Sequence, residues 1–153
     1  MQKFLLTLVV LFAATFAANA QQKYEWKQYG LSFKVPTTFK ISENTAESFA
    51  AGDKNMDLAI QVIDYDGVDA EDMGGILGEL AVEAGMDMEE AEIGELALTT
   101  LAGAYIEGEI DGEMTILVVL MDVESNIALF ARITYADGFL KQANNICNSF
   151  AIK

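Results

Sequence analysis

The chain has 153 residues, of which 24 are acidic and nine basic, with no histidine, one cysteine and one proline. A net charge of −15 argues against nucleic acid and anionic lipid as partners, because both are held by clustered Lys and Arg. The missing histidine removes the commonest general base near neutral pH and the commonest transition-metal ligand, and a lone Cys147 excludes an intramolecular disulfide.

Taken in chain order, Met1-Gln2-Lys3 carries one positive charge, and Phe4 to Phe16 is an apolar run interrupted only by Thr7 and Thr15. That run is shorter than the roughly 20 residues of a membrane-spanning helix. It is followed by Ala18-Asn19-Ala20, small residues at the positions a signal peptidase reads. Residues 1–20 are therefore expected to be a cleavable signal peptide, leaving residues 21–153 as one globular domain in the periplasm or outside the cell, with no membrane insertion after cleavage. No cysteine lies near the cut to carry a lipid. Lys3 is the only charged residue removed, so the mature chain of 133 residues carries −16, within the size range of a single domain with its own core.

Tyr24 and Trp26 alternate with polar residues, and after Gly30 so do Leu31, Phe33 and Val35, which predicts a first hairpin from Tyr24 to Pro36. A loop carrying Phe39 and Ile41 follows, then a short strand at Ser48 to Ala51, a Gly52-Asp53 turn, and a strand through Met56, Leu58, Ile60 and Val62. Asp69 reads as an N-cap with Glu71 and Asp72 in the first turn, where the helix dipole favours negative charge. Met73, Ile76, Leu77, Leu80 and Ala84 have helical spacing, and Gly85 is placed to end that helix. Its glycines at 74, 75 and 78 each cost roughly 1 kcal/mol against alanine, so packing has to hold it.

Strands are predicted again at Ala91 to Leu98, Gly103 to Ile110, Glu113 to Asp122 and Ile127 to Tyr135, with Asp111-Gly112 as a two-residue hairpin turn. Met114 to Met121 is apolar on both faces, as in a strand covered on both sides. Asp137 begins a last helix whose stripe is Phe139, Ala143, Ile146, Cys147 and Phe150. The elements make an α+β domain with two helices on a mainly antiparallel sheet.

Tyr29-Gly30-Leu31-Ser32-Phe33-Lys34-Val35-Pro36 resembles the G-hydrophobic-S-F-x-x-P opening of Mog1/PsbP-like domains. Leu101 to Gly108 is similar to their G-x-x-x-x-G strand, and Ala143 to Ile152 resembles their closing helix followed by Ser-Phe. The resemblance runs over nearly all of residues 24–152. It implies an αβα sandwich in a family of mostly non-enzymatic accessory or binding proteins. Mog1 proteins bind a small GTPase and PsbP proteins serve photosystem II, but no motif here matches either interface, and no site residue is carried over.

Candidate chemistry is sparse. Five carboxylates between Asp64 and Asp72 suggest a hard cation, and Asp64, Asp66 and Asp69 are the candidate ligands of a weak calcium site. The EF-hand pattern fails, with Val68 at the fifth position, Asp69 at the sixth and Gly75 at the twelfth; a turn plus an N-cap accounts for the same residues. A second acidic run, Asp87, Glu89, Glu90, Glu92 and Glu95, and the hairpin acids Glu107, Glu109, Asp111 and Glu113 read as solvated strand faces. Arg132, the only cation in a long acidic stretch, is expected to pair with Glu107 or Glu109. Cys147 lies on an apolar stripe with no base to form its thiolate, and Ser and Thr lack a histidine partner or a nucleophile elbow.

An aromatic and basic group near the N-terminus, chiefly Trp26, Tyr29 and Lys34, is a candidate recognition surface. The reading is an exported, non-enzymatic binding or accessory domain without a cofactor, its partner a protein or small molecule of unknown identity. A calcium-binding protein and a hydrolase with an unfamiliar site are the alternatives.

Overall fold

The computed structural model describes residues 20–63, 70–122, 124–125 and 127–152. Among the described residues ten strands form two sheets, joined by two α-helices. The first hairpin is β1 (Gln21–Trp26) and β2 (Leu31–Pro36), antiparallel with Trp26 opposite Leu31. The chain then enters a seven-stranded sheet through β3 (Lys40–Asn44), β4 (Ser48–Gly52) and β5 (Met56–Ile63). After a 3-10 turn at Ala70–Asp72 comes α1 (Met73–Glu83), then β6 (Ile93–Leu96), β7 (Ala102–Ile110), β8 (Glu113–Asp122) and β9 (Ile127–Tyr135). The chain closes with α2 (Leu140–Cys147) and the short β10 (Ala151–Ile152).

The large sheet is antiparallel throughout, in the order β3-β4-β5-β9-β8-β7-β6. Its central strand is β9, and in the adjacent β8 Thr115 to Met121 are all buried, as apolarity on both faces requires. At the β7–β8 turn Asp111 and Gly112 both adopt positive φ, 52° and 83°, the backbone a type I′ hairpin needs. One face of the sheet carries α1, packed on β7 and β8. There Met73, Ile76, Leu77 and Ala81 meet Ala104, Ile106, Leu117 and Val119. The other face is covered jointly by α2 and the small sheet.

The main core lies on that second face. Phe33 and Phe49 rings meet edge to face at 5.2 Å, Tyr24 stands 5.0 Å from Phe49, and Phe150 is 5.8 Å from Phe33. Fully burying one such ring is worth about 1.5–3 kcal/mol, so Phe33, Phe49 and Phe150 are major contributors to stability.

The sequence reading differs from the structure at four places. The segment with Phe39 and Ile41 is not a loop throughout: Lys40–Asn44 is an edge strand, exposed along its whole length and interrupted by a bulge between Ile41 and Glu43, so it shows no alternation. The first long helix begins at Met73 after the 3-10 turn; Asp69, its expected cap, lies outside the described residues. Asp137 does not cap the last helix, because Gly138 takes φ 86° and the helix opens after Phe139. Finally, Ala151–Ile152 pairs with Ser32 and Leu31 as a third strand of the small sheet, an element too short to produce a sequence period. No helix among the described residues is long and apolar enough to cross a membrane.

Candidate functional site

The N-terminal aromatic and basic group does not assemble into a surface. Trp26 is only 2% exposed, and its indole N–H donates to the Thr45 carbonyl at 3.0 Å. Tyr29 packs edge-on against Trp26, centroids 4.8 Å apart, and its hydroxyl donates to the Ala46 carbonyl at 2.6 Å. Both side chains clamp the β3–β4 turn to the first hairpin. Lys34 is exposed on the opposite face of the small sheet, while its backbone N–H donates to Ser149 Oγ at 2.8 Å. Aromatic residues that sequence reasoning offers to a partner are here spent on packing and on satisfying turn carbonyls, as buried Trp and Tyr usually are.

The calcium candidates Asp64, Asp66 and Asp69 lie outside the described residues. Among the described residues no group of three Cys, Asp or Glu side chains is placed to hold a metal ion.

Arg132 faces the α1 side of the sheet, between Ala59 on β5 and Leu117 on β8. Glu107 stands opposite Ile116 and faces the main core side, so strand alternation puts Glu107 and Glu109 on the other face and the expected cross-strand pair does not form. Glu107 instead accepts a hydrogen bond from the Tyr135 hydroxyl at 2.6 Å. Burial first, and then that carboxylate, push the Tyr135 hydroxyl well above the usual tyrosine range. Cys147 is buried at 2% exposure. Loss of water pushes its thiol up to about 12, the charge of Glu107 adding to the rise against a backbone hydrogen bond that lowers it. At neutral pH it is an inert thiol, not a nucleophile.

Two acidic runs that read separately in the sequence converge at one place. The connection from α1 to β6 supplies Asp87, Glu89, Glu90 and Glu92, and β7 supplies Glu107 and Glu109. Together they line a hollow of about 710 Å³ floored by Tyr105, Gly108 and Met114. The Asp87 backbone N–H donates to the Glu109 carbonyl at 3.4 Å, and Asp87 Oδ1 accepts from the Glu89 N–H at 3.1 Å, so both runs are tied together through the backbone. Tyr105 is set by Gly94: a Cβ there would lie 2.6 Å from the ring, so only glycine lets the ring rest on β6. The sequence carried this site as two charge runs, but nothing in it says that a turn returns residues 87–92 to the β7 edge.

The solved structures give the fold a precedent. A point mutant of the protein Mog1 superposes with a TM-score of 0.57 at 9% identity, over 87% of this chain and 96% of that one. The Ran-binding protein Mog1p of Saccharomyces cerevisiae gives 0.57 at 10% identity, over 87% and 95%. A structure from Bacteroides thetaiotaomicron gives 0.50 at 13% identity, over 89% of this chain and 49% of that one. No family model matches the chain, and no curated protein matches it. The chain therefore has the Mog1/PsbP-like α+β fold, two helices packed on a mainly antiparallel sheet, as its sequence motifs imply. At these identities the likeness is one of fold, and a fold of this kind hosts many roles.

Proposed function

We propose that this is an exported, non-enzymatic binding domain whose partner presents positive charge to the hollow beside β6. The observation that carries the reading is the hollow itself: six carboxylates from two distant segments surround a concave, aromatic-floored site with no basic side chain in its lining. Low-dielectric walls of one sign concentrate field and raise the local concentration of an opposite charge. A solved neighbour of the same fold is a Ran-binding protein, so the architecture has served protein recognition elsewhere. The absence of histidine and the buried, protonated Cys147 support a role without thiol-based or histidine-assisted covalent chemistry. Export is supported by the signal-like sequence of residues 1–20.

The test is recovery of a partner from envelope or culture-medium extract by the mature protein. It is compared with a hollow variant, Glu89→Gln/Glu92→Gln/Glu109→Gln, and a charge-matched control, Glu47→Gln/Glu79→Gln/Glu83→Gln. The reading predicts one basic partner recovered by wild type and control but not by the hollow variant. Equal recovery by all three, or none by wild type, contradicts it. N-terminal sequencing of the exported protein is expected to begin at Gln21; an intact Met1 on a chain retained in the cytoplasm overturns the export part.

A further inference from the structure

The geometry points to the outer edge of β6 as a docking site for an extended, basic peptide segment that adds to the large sheet as an eighth strand. The two edges of that sheet differ: β3 is broken by a bulge, while β6 is short, carries Glu95 and is regular. At β3 the bulge between Ile41 and Glu43 and the terminal Lys40 are devices by which proteins blunt an edge. At β6 the register with β7 runs unbroken from Ile93 opposite Ile106 to Leu96 opposite Gly103. No described strand pairs with its other side, and no Lys or Arg occurs anywhere between Lys54 and Arg132. Every other residue of such a strand points its N–H and C=O outward, a ready row of partners for an added chain.

Side-chain space agrees with an added strand. On the α1 face, Ile93 is 46% exposed and lies over Gly74 and Gly78. Beside it, a groove of about 390 Å³ has Ala102, Gly103 and Ala104 for its floor, Met73 as a wall, and Glu71 and Glu95 among its lining. Small apolar side chains fit that floor. On the opposite face the Tyr105 ring lies over Gly94 and offers an incoming side chain an aromatic surface, and Glu92, just before β6, lines the acidic hollow. An alternating apolar and basic segment meets both faces in register. A second copy of this chain is disfavoured, because pairing β6 with itself brings two strongly acidic edges together.

The inference rests on the binding-domain reading only for the sign of the partner's charge, and its test separates the two. The probe is a short synthetic peptide of alternating lysine and valine, with an analogue N-methylated at every other amide. The expected results are slowed amide hydrogen exchange in residues 93–96 on adding the peptide, and affinity at least about tenfold weaker for the analogue, which keeps the charge but loses strand pairing. A similar loss is expected for Ile93→Lys/Glu95→Lys, whose lysine stems replace exposed side chains without burying charge. Equal affinity of the N-methylated analogue, no binding, or protection confined to the Glu107–Glu109 region overturns the proposal. So does a peptide-independent dimer, abolished by the double variant, in sedimentation. Persistence of β6 protection in the hollow variant leaves the edge standing even if the hollow fails its own test.

Discussion

The two faces of the seven-stranded sheet are built differently. Among the described residues the fully buried aromatic rings, Trp26, Phe33, Phe49 and Phe150, lie on the face covered by α2 and the small sheet, where they pack in tilted and edge-to-face pairs. The α1 face has no fully buried ring among the described residues: branched aliphatics such as Leu77, Ile106 and Leu117 are joined there by Met73, Met86 and Met121 and by Ala81 and Ala104. Its helix contains Gly74, Gly75 and Gly78, and the open β6 edge borders both faces, with the acidic hollow on the aromatic side of β7 and the small-residue groove on the α1 side. Rigid aromatic packing specifies one arrangement, whereas thioethers and small residues leave a pliable layer. The difference teaches that the large buried rings are concentrated on one face, while the β6 edge, where the proposed site lies, is bordered by the periphery of both.

Truncating the aromatic cluster should break that comparison most strongly. Phe49→Ala is expected to cost about 3–5 kcal/mol, as large-to-small core changes of this size do, read as a lowered denaturant midpoint. Leu77→Ala on α1 is expected to cost about 2–3 kcal/mol and to act locally, speeding amide exchange in residues 73–83 before global unfolding. A cost for Leu77→Ala equal to or above that for Phe49→Ala would remove the distinction between the faces.

Alkaline pH probes the same core. The Cys147 thiol titrates near 8.5 when unfolded but is held to about 12 when folded. Above the unfolded value the unfolded chain binds fewer protons than the folded one, so stability falls as pH rises. That contribution is fully present below about pH 8.5 and is lost on the way up to the folded value. Cys147→Ala should be less stable at pH 7 and lose stability less steeply between pH 9 and 11; an unchanged slope contradicts the buried thiol as its source. Tyr135→Phe removes the hydroxyl that Glu107 accepts from and is expected to cost about 1 kcal/mol, with a negligible change leaving Glu107 a purely solvated carboxylate. Gly75→Ala, where an added Cβ meets nothing within 4 Å, should stabilise α1 by about 0.5–1 kcal/mol.

Periodicity made most of the architecture legible. Met56, Leu58 and Ile60 alternate in sequence and are buried in alternation, Asp111-Gly112 turns as its residue types demand, and β8 is covered on both faces. Elements that carry no period were hidden: exposed β3, two-residue β10, and the Gly138 conformation that displaces the last cap. The candidate site was legible only as composition. Arg132 and Glu107 are drawn together by charge in a linear reading, yet strand parity sets them on opposite faces. Asp87 to Glu92 meet Glu107 and Glu109 through a tertiary return that neither charge run encodes locally.

The most direct measurement of the central claim is a calorimetric titration of the mature protein with oligolysine at low and high salt, alongside the hollow variant Glu89→Gln/Glu92→Gln/Glu109→Gln and the control Glu47→Gln/Glu79→Gln/Glu83→Gln. If the hollow collects positive charge, the hollow variant weakens binding by about tenfold or more, with a shallower salt dependence, and the control leaves affinity within about twofold of wild type. Equal weakening by both variants would mean that net charge alone attracts the peptide, and would contradict a localised site.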